Sequence, residues 1–320
     1  MTAQGPGTRL ATLVALVALA GCSRAALYAV TSGANDGGGD SDQGSGDGVV
    51  AGRPSSGCTA PAPSSVDTNR TVQVDAMSRT YVLHVPQAHD SRSPSALVVD
   101  FHGIGLTGAA ERTMSPYPAA LDPAGVVMAF PDGTRGPAGT AWNVGPCCVA
   151  GVDDVAFARA VVADVGQSTC IDLDRVYAVG VLTGGGMAHY VGCHAADLFA
   201  AVAPAAFDLL AENVGDCAPQ RPITEISFRG TDDPKVPYAG GASSSIPTMP
   251  ITFLGAVDTF DAWASIDGCT GAPSAPDANG CARYGSCRDG VEVVLCTKQG
   301  GGDDPGDPTL AWPVLMRHQL

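Results

Sequence analysis

A doubly wound, mostly parallel α/β sheet, stapled by disulfides, is the fold class this sequence predicts. Three observations carry it. Short, nearly continuous apolar runs alternate along the chain with helix-period patterns, as they do when crossover helices bury strands on both faces. Charged residues make up 15% of the chain against 45% hydrophobic, a balance that suits a thickly covered central sheet. Ten cysteines follow an export signal, an even number with no C-x-x-C pair or His-rich spacing that would suggest a metal.

Each element can be justified in order. Residues 71–74 and 79–85 alternate in the period-2 fashion and predict an opening hairpin. The runs 96–101, 125–130, 175–180, 199–204, 223–228 and 291–295 read as buried strands, and helical patterns at 155–165, 185–195 and 257–265 lie between them. Short right-handed crossovers between such strands give one parallel sheet with helices on both faces.

Ahead of this domain lies a segment of another kind. Residues 1–22 read as a lipoprotein signal peptide: Arg9 is the one charge, and 10–20 form an apolar core too short to remain as a membrane span. Leu19-Ala20-Gly21-Cys22 then has the pattern of a lipobox, whose cysteine thiol takes a diacylglycerol. Residues 23–57 are dense in Gly, Ser and Asp and predict a flexible, self-repelling tether; 58–320 form the domain. The expected products are an exported protein anchored through Cys22 and up to five disulfides among Cys58, Cys147, Cys148, Cys170, Cys193, Cys217, Cys269, Cys281, Cys287 and Cys296. Adjacent Cys147 and Cys148 are expected to staple two different segments. The net charge of −15 excludes binding of nucleic acid or anionic lipid by charge and supplies solubility.

The chemistry should lie at Arg175-Val176-Tyr177-Ala178-Val179-Gly180-Val181-Leu182-Thr183-Gly184-Gly185-Gly186-Met187, where a strand runs into a glycine-rich turn and a helix. This is the layout of a nucleophile elbow, G-x-S-x-G, in which a tight turn lifts a serine to a helix N-terminus. Both glycines of the frame are present, and Leu182 stands where the serine belongs. From Gly180 to Cys193 the segment resembles, without a gap, the elbow of secreted polyhydroxybutyrate depolymerases and the related feruloyl and acetylxylan esterases. Val98-Val99-Asp100-Phe101-His102-Gly103, Ala141-Trp142-Asn143 with Cys147-Cys148, Asp153-Asp154-Val155, Gly230-Thr231-Asp232-Asp233-Pro234-Lys235-Val236-Pro237-Tyr238, Trp263 with Gly268-Cys269, and Gly300-Gly301-Gly302 resemble the same family. The resemblance covers about residues 70 to 302.

The resemblance implies an α/β-hydrolase fold and carboxylic ester hydrolysis, with no cofactor and no metal. It places an oxyanion loop at His102, Gly103 and Ile104, with the Thr183 N–H as partner donor. His102 on this reading supports the turn and moves no proton. Asp233 takes the place of the triad acid. The triad histidine should follow the last strand in G-G-G-H-x-W-P, but the chain reads Gly300-Gly301-Gly302-Asp303, with Trp312-Pro313 nine residues late. The chain then stops at Leu320, where family members add a closing helix. Thr183 as a displaced nucleophile and His318 as a displaced base are the alternatives. His84, His89, His189 and His194 lack partners at metal-like spacing, and the acids of 303–307 read as a solvated loop rather than a calcium site. The favoured reading is a tethered binder of a polyester or an acylated or feruloylated polysaccharide that has lost its nucleophile and base. An active hydrolase with rearranged groups and an envelope structural lipoprotein are the competing readings.

Overall fold

The computed structural model describes residues 52–61, 66–242 and 251–320. The expected signal peptide, Cys22 and most of the tether lie outside the described residues. The strands of the main sheet are β1 (Asp67–Val74), β2 (Met77–His84), β3 (Ser95–Phe101), β4 (Val127–Pro131), β5 (Ile171–Val181), β6 (Ala201–Ala205), β7 (Thr224–Gly230), β8 (Cys281–Tyr284) and β9 (Val293–Lys298). Their order is β1-β2-β4-β3-β5-β6-β7-β9-β8. The pairs from β4 to β9 are parallel, whereas β1–β2, β2–β4 and β8–β9 are antiparallel.

Alternation along the strands divides the core. On one face lie Leu97, Val99 and Phe101 of β3, covered by α3 (Asp154–Ser168), α4 (Thr183–His194) and α5 (Ala256–Ile266) through Phe157, Val191 and Trp263. On the other lie Val98, Tyr177, Val179 and Val294, covered by α2 (Tyr117–Leu121) and α6 (Pro308–Leu315) through Leu121, Val314 and Leu315. A first helix, α1 (Gly108–Met114), follows the loop after β3. The central strands are buried on both faces, which is why they read as continuous apolar runs.

Three expectations are corrected. The tether does not extend to residue 57: Ser55 Oγ donates to the Thr169 carbonyl and Pro54 bridges Asp172, so the domain already includes 52–57. The closing helix is not missing. It is α6, shifted late with Trp312-Pro313, and it packs because Ala311, Val314 and Leu315 repeat at helical spacing and Trp312 meets Tyr177 edge-on at 5.7 Å. Finally, Cys147 and Cys148 bond to each other rather than to distant segments. They sit in a buried two-residue strand paired with Asn143–Val144, and the other eight cysteines are already paired as Cys58–Cys170, Cys193–Cys217, Cys269–Cys287 and Cys281–Cys296.

Candidate active site

β5 ends at Val181 and α4 begins at Thr183, leaving Leu182 alone to make the turn. Its backbone has φ 54° and ψ −124°, a conformation that costs a side-chain-bearing residue about 1–3 kcal/mol. Two bonds hold it there: the Leu182 N–H donates to the Ala205 carbonyl at 3.0 Å, and the Leu182 carbonyl accepts from the Gly186 N–H at 3.0 Å. The flanking glycines are obligatory. A Cβ on Gly184 would collide with the Phe101 carbonyl, and one on Gly180 with the Gly184 carbonyl. The chain therefore keeps the strained geometry of a nucleophile elbow around a side chain without a hydroxyl.

The Leu182 side chain leans on the loop after β3, where a Cβ on Gly103 would meet Leu182 Cδ1 at 3.4 Å. His102 stiffens that loop. Its Nε2 accepts from the Gly133 N–H at 2.8 Å, so Nδ1 carries the proton and donates to the Gly103 carbonyl at 2.8 Å. Burial pushes the His102 pKa down, which keeps the ring neutral. The ring has no nitrogen left for proton transfer. Leu106 N–H returns to the Gly103 carbonyl and Gly105 N–H to the Thr140 carbonyl, while no bond from the Ile104 N–H is recorded among the described residues. Thr183, as the first residue of α4, has no intrahelical acceptor for its N–H. Thr183 follows Leu182 directly in the chain, and Ile104 follows the Gly103 that the Leu182 side chain approaches.

Asp233 follows β7, at the same carboxyl edge of the sheet. Its Oδ1 accepts from the N–H groups of Lys235 at 2.8 Å and Val236 at 3.0 Å. Its Oδ2 is buried and has no hydrogen-bond partner among the described residues. Asp303 stands at the end of a glycine run zipped to the Asp233 loop: Asp232 N–H donates to the Gly301 carbonyl, and Gly300 N–H to Thr231 Oγ1. The Asp303 carboxylate pairs with Lys235, whose ammonium holds it below the usual carboxylate range. Sequence reasoning did not foresee Lys235. Nor did it foresee Arg229, whose buried guanidinium pairs with Asp208 beneath Asp233 and donates to the Val236 carbonyl at 2.7 Å. Burial lowers the Arg229 pKa to about 10.

Neither displaced group is placed for the role considered for it. His318 lies at the opposite edge of the sheet, where its Nε2 meets Glu292 at 3.1 Å and its carbonyl accepts from the Tyr177 hydroxyl at 2.9 Å. Leu320 N–H docks on Asp174, and the eight residues of β5 from there to Leu182 span roughly 25 Å at about 3.3 Å each. The Thr183 hydroxyl is buried and has no hydrogen-bond partner among the described residues. Of the remaining histidines, His189 accepts from Trp263 Nε1 at 3.0 Å, and burial pushes its pKa down to about 3. The acids after Asp303 are also accounted for: Asp304 pairs with Lys298 at 2.8 Å, and Asp307 caps α6. No group of residues that could hold a metal occurs among the described residues.

No protein-family profile matches the chain. A putative esterase, NocK of Nocardia uniformis subsp. tsuyamanensis, is 30% identical over 268 residues, covering 76% of this chain and 75% of that protein. The chain belongs to the polyhydroxybutyrate depolymerase and feruloyl esterase family of α/β-hydrolases. Within this esterase family, feruloyl esterase B of Piromyces equi is 42% identical over 246 residues. That match covers 76% of this chain but 46% of the relative, so the chain corresponds to about half of that longer protein. The acetyl xylan esterase from Aspergillus awamori superposes with a TM-score of 0.56 at 16% identity, covering 78% of this chain and 99% of the other, which is a likeness of fold. The family's sheet, elbow turn and loop after β3 are thus all present in this esterase-family chain, with Leu182 at the apex and Asp303 after the last glycine.

Proposed function

We propose that this chain is a cell-envelope lipoprotein that binds the acyl esters of a polyester or of an acetylated or feruloylated polysaccharide without cleaving them. The observation that carries this reading is Leu182, held in the strained elbow conformation with no hydroxyl, together with an Asp233 whose Oδ2 meets no histidine among the described residues. Leucine has no lone pair with which to attack a carbonyl. The Ile104 and Thr183 N–H groups still offer donors to a carbonyl oxygen, and the Leu182 side chain offers an apolar surface beside them.

The test is a pair of measurements on the purified protein. Calorimetric titration with methyl ferulate should show binding, and an assay with methyl ferulate and short acyl esters should show no burst and no turnover. Fluorophosphonate probes should leave the protein unlabelled, since they need a nucleophile beside a base. Labelling or burst kinetics would overturn the non-cleaving reading. The anchor is tested separately by mass spectrometry of the mature N-terminus, where diacylglycerol on Cys22 is expected and an unmodified cysteine would remove the membrane from the proposal.

A further inference from the structure

Nine residues, 303–311, separate Gly302 from Trp312, where the motif G-G-G-H-x-W-P has two. The longer stretch builds part of the wall of a cavity of about 540 Å³, to which Asp304, Pro305, Gly306, Asp307, Pro308 and Leu310 all contribute. Phe228 near the end of β7, Lys298 at the end of β9 and Asn279 in the turn before β8 line it as well. The volume lies within the range of about 300–1,000 Å³ usual for small-molecule sites. Phe228 belongs to the sheet face that α6 covers, whereas α4, the helix of the elbow, packs on the other face. None of Leu182, Thr183, Gly103, Ile104 and Asp233 lines the cavity, so it is a site apart from the elbow. Its lining has an apolar part. Gly306 has a φ of 85°, and a Cβ there would meet Phe228 Cδ2 at 3.1 Å, so the backbone of the longer stretch lies on the Phe228 ring. Half-buried Leu310 adds to that surface. The polar part carries both donors and acceptors. Lys298 Nζ pairs with Asp304 at 2.8 Å, and both side chains are exposed. Asp307 Oδ1 accepts from the Thr309 N–H and hydroxyl, while its Oδ2 takes no hydrogen bond among the described residues. The Asn279 side-chain amide also makes none among the described residues, although its turn is fixed: Asp277 Oδ1 accepts from the Asn279 N–H at 2.8 Å and from the Cys281 N–H at 3.0 Å.

We propose that this cavity binds a neutral sugar ring of a glycan, with the C–H face of the ring on Phe228 and Leu310 and its hydroxyls on Asp304, Asp307, Lys298 and Asn279. Charge selects against an anionic ligand. The Arg229 guanidinium is already paired with Asp208, so Asp304 and Asp307 face one ammonium, that of Lys298, in a chain of net charge −15. Hydrogen bonding selects against a polyester. An ester carbonyl only accepts, and it would leave both carboxylates desolvated without a donor, whereas a sugar hydroxyl donates and accepts at once. The proposal rests on the binding role above only in taking a glycan as the partner, and it narrows that role to polysaccharide. The elbow and the cavity then hold different parts of one ligand, the acyl ester and a sugar of the chain that bears it.

The experiment is amide NMR on the isotopically labelled full chain, titrated separately with xylotetraose, cellotetraose and the methyl ester of a linear 3-hydroxybutyrate trimer. At least one of the two sugars, neither of which carries an acyl group, should shift the Lys298, Gly306 and Leu310 amides and leave those of Leu182 and Thr183 in place. The polyester trimer should not shift the cavity amides. D304A should raise the Kd for the sugar on the order of tenfold, as expected for one lost hydrogen bond to a charged group. N279W, which places an indole at the cavity, should weaken the sugar at least as much, and it decides the matter if D304A fails to fold. No shift with either sugar, shifts confined to Leu182 and Thr183, the trimer moving the cavity amides in place of the sugars, or a Kd unchanged in both variants would overturn the proposal. Methyl ferulate separates this site from the elbow. If a sugar binds the cavity and methyl ferulate does not bind, the ester-binding reading fails and the sugar site stands; if methyl ferulate binds and neither sugar does, the reverse holds.

Discussion

Leu182 makes the tight turn between β5 and α4 with a side chain that has no hydroxyl. The residue keeps a positive φ that glycine would adopt at less cost, because Ala205 and Gly186 clamp its backbone from both sides. The turn is therefore a property of its neighbours. Gly184→Ala should destabilise the domain by at least about 3 kcal/mol in denaturant unfolding, since its Cβ would meet backbone, not a side chain that can move aside. A cost under about 1 kcal/mol would show that the turn can rearrange. At the same scale, Leu182→Ser alone should restore no turnover, because no histidine is bonded to Asp233 among the described residues. Leu182→Ser with Asp303→His is the smallest change that supplies both groups, and it also removes the carboxylate that pairs with Lys235. Because serine and histidine act as a unit, burst kinetics with a short acyl ester are expected only in the double variant. A burst in the single variant would mean that another group serves as base.

Individual elements are held by a few polar side chains that also explain motifs visible in the sequence. Asp153 and Asp154 have separate tasks. Asp153 caps α3 through the Ala156 N–H at 2.8 Å. Asp154 accepts from Arg79 of β2 at 2.8 Å and from the Asn143 N–H at 2.7 Å, joining the opening hairpin, the Cys147–Cys148 hairpin and α3. The pair is almost fully buried, and Phe157 lies under the guanidinium at 4.0 Å. Removing one partner strands the other charge, so Arg79→Ala should cost about 3–5 kcal/mol of unfolding free energy. The Lys235–Asp303 pair provides the contrast: both side chains are more than a third exposed, and Lys235→Ala should change stability by no more than about 1 kcal/mol. Similar losses in the two variants would contradict the dependence on burial argued here.

For the molecule as a whole, buried acids set the pH response. Asp100 and Asp267 are pushed up to about 7, and Glu111 and Glu225 to about 8, in each case chiefly by burial. The folded state thus keeps protons that the unfolded chain releases near pH 4. Raised carboxyl pKa values contribute stability that is fully present below the unfolded value and is lost as pH rises through the folded one. The lowered carboxylates, Asp67, Asp197, Glu292 and Asp303, act in the opposite sense only as pH falls below about 4. The thermal midpoint should therefore be highest near about pH 4 and fall steadily from about pH 5 towards about pH 8. A midpoint that climbs over that interval in calorimetry would show that these acids are not held neutral. Five disulfides span the described domain, and thiol titration under non-reducing conditions should find none of their ten cysteines free.

The sequence by itself determined the sheet, because strands buried on both faces must be apolar throughout: 96–101 became Ser95–Phe101 and 223–228 became Thr224–Gly230. It also determined the elbow, because only glycine fits beside a turn that tight, and so made the missing serine legible at Leu182. What it could not determine depended on groups far apart in the chain. Trp312 and Val314 form a closing helix because Tyr177 and the second face of the sheet wait for them, although the helix is short and begins at a proline. His318 looked available as a base until the chain end was seen docked on Asp174 and Glu292, at the wrong edge of the sheet. Cys147 bonds to its own neighbour because every other cysteine of the domain has been brought to a different partner. Glu111, Asp100 and Arg229 are ordinary charged residues in the sequence. Only folding takes them out of water, and burial is what turns a charge into a constraint on the residues beside it.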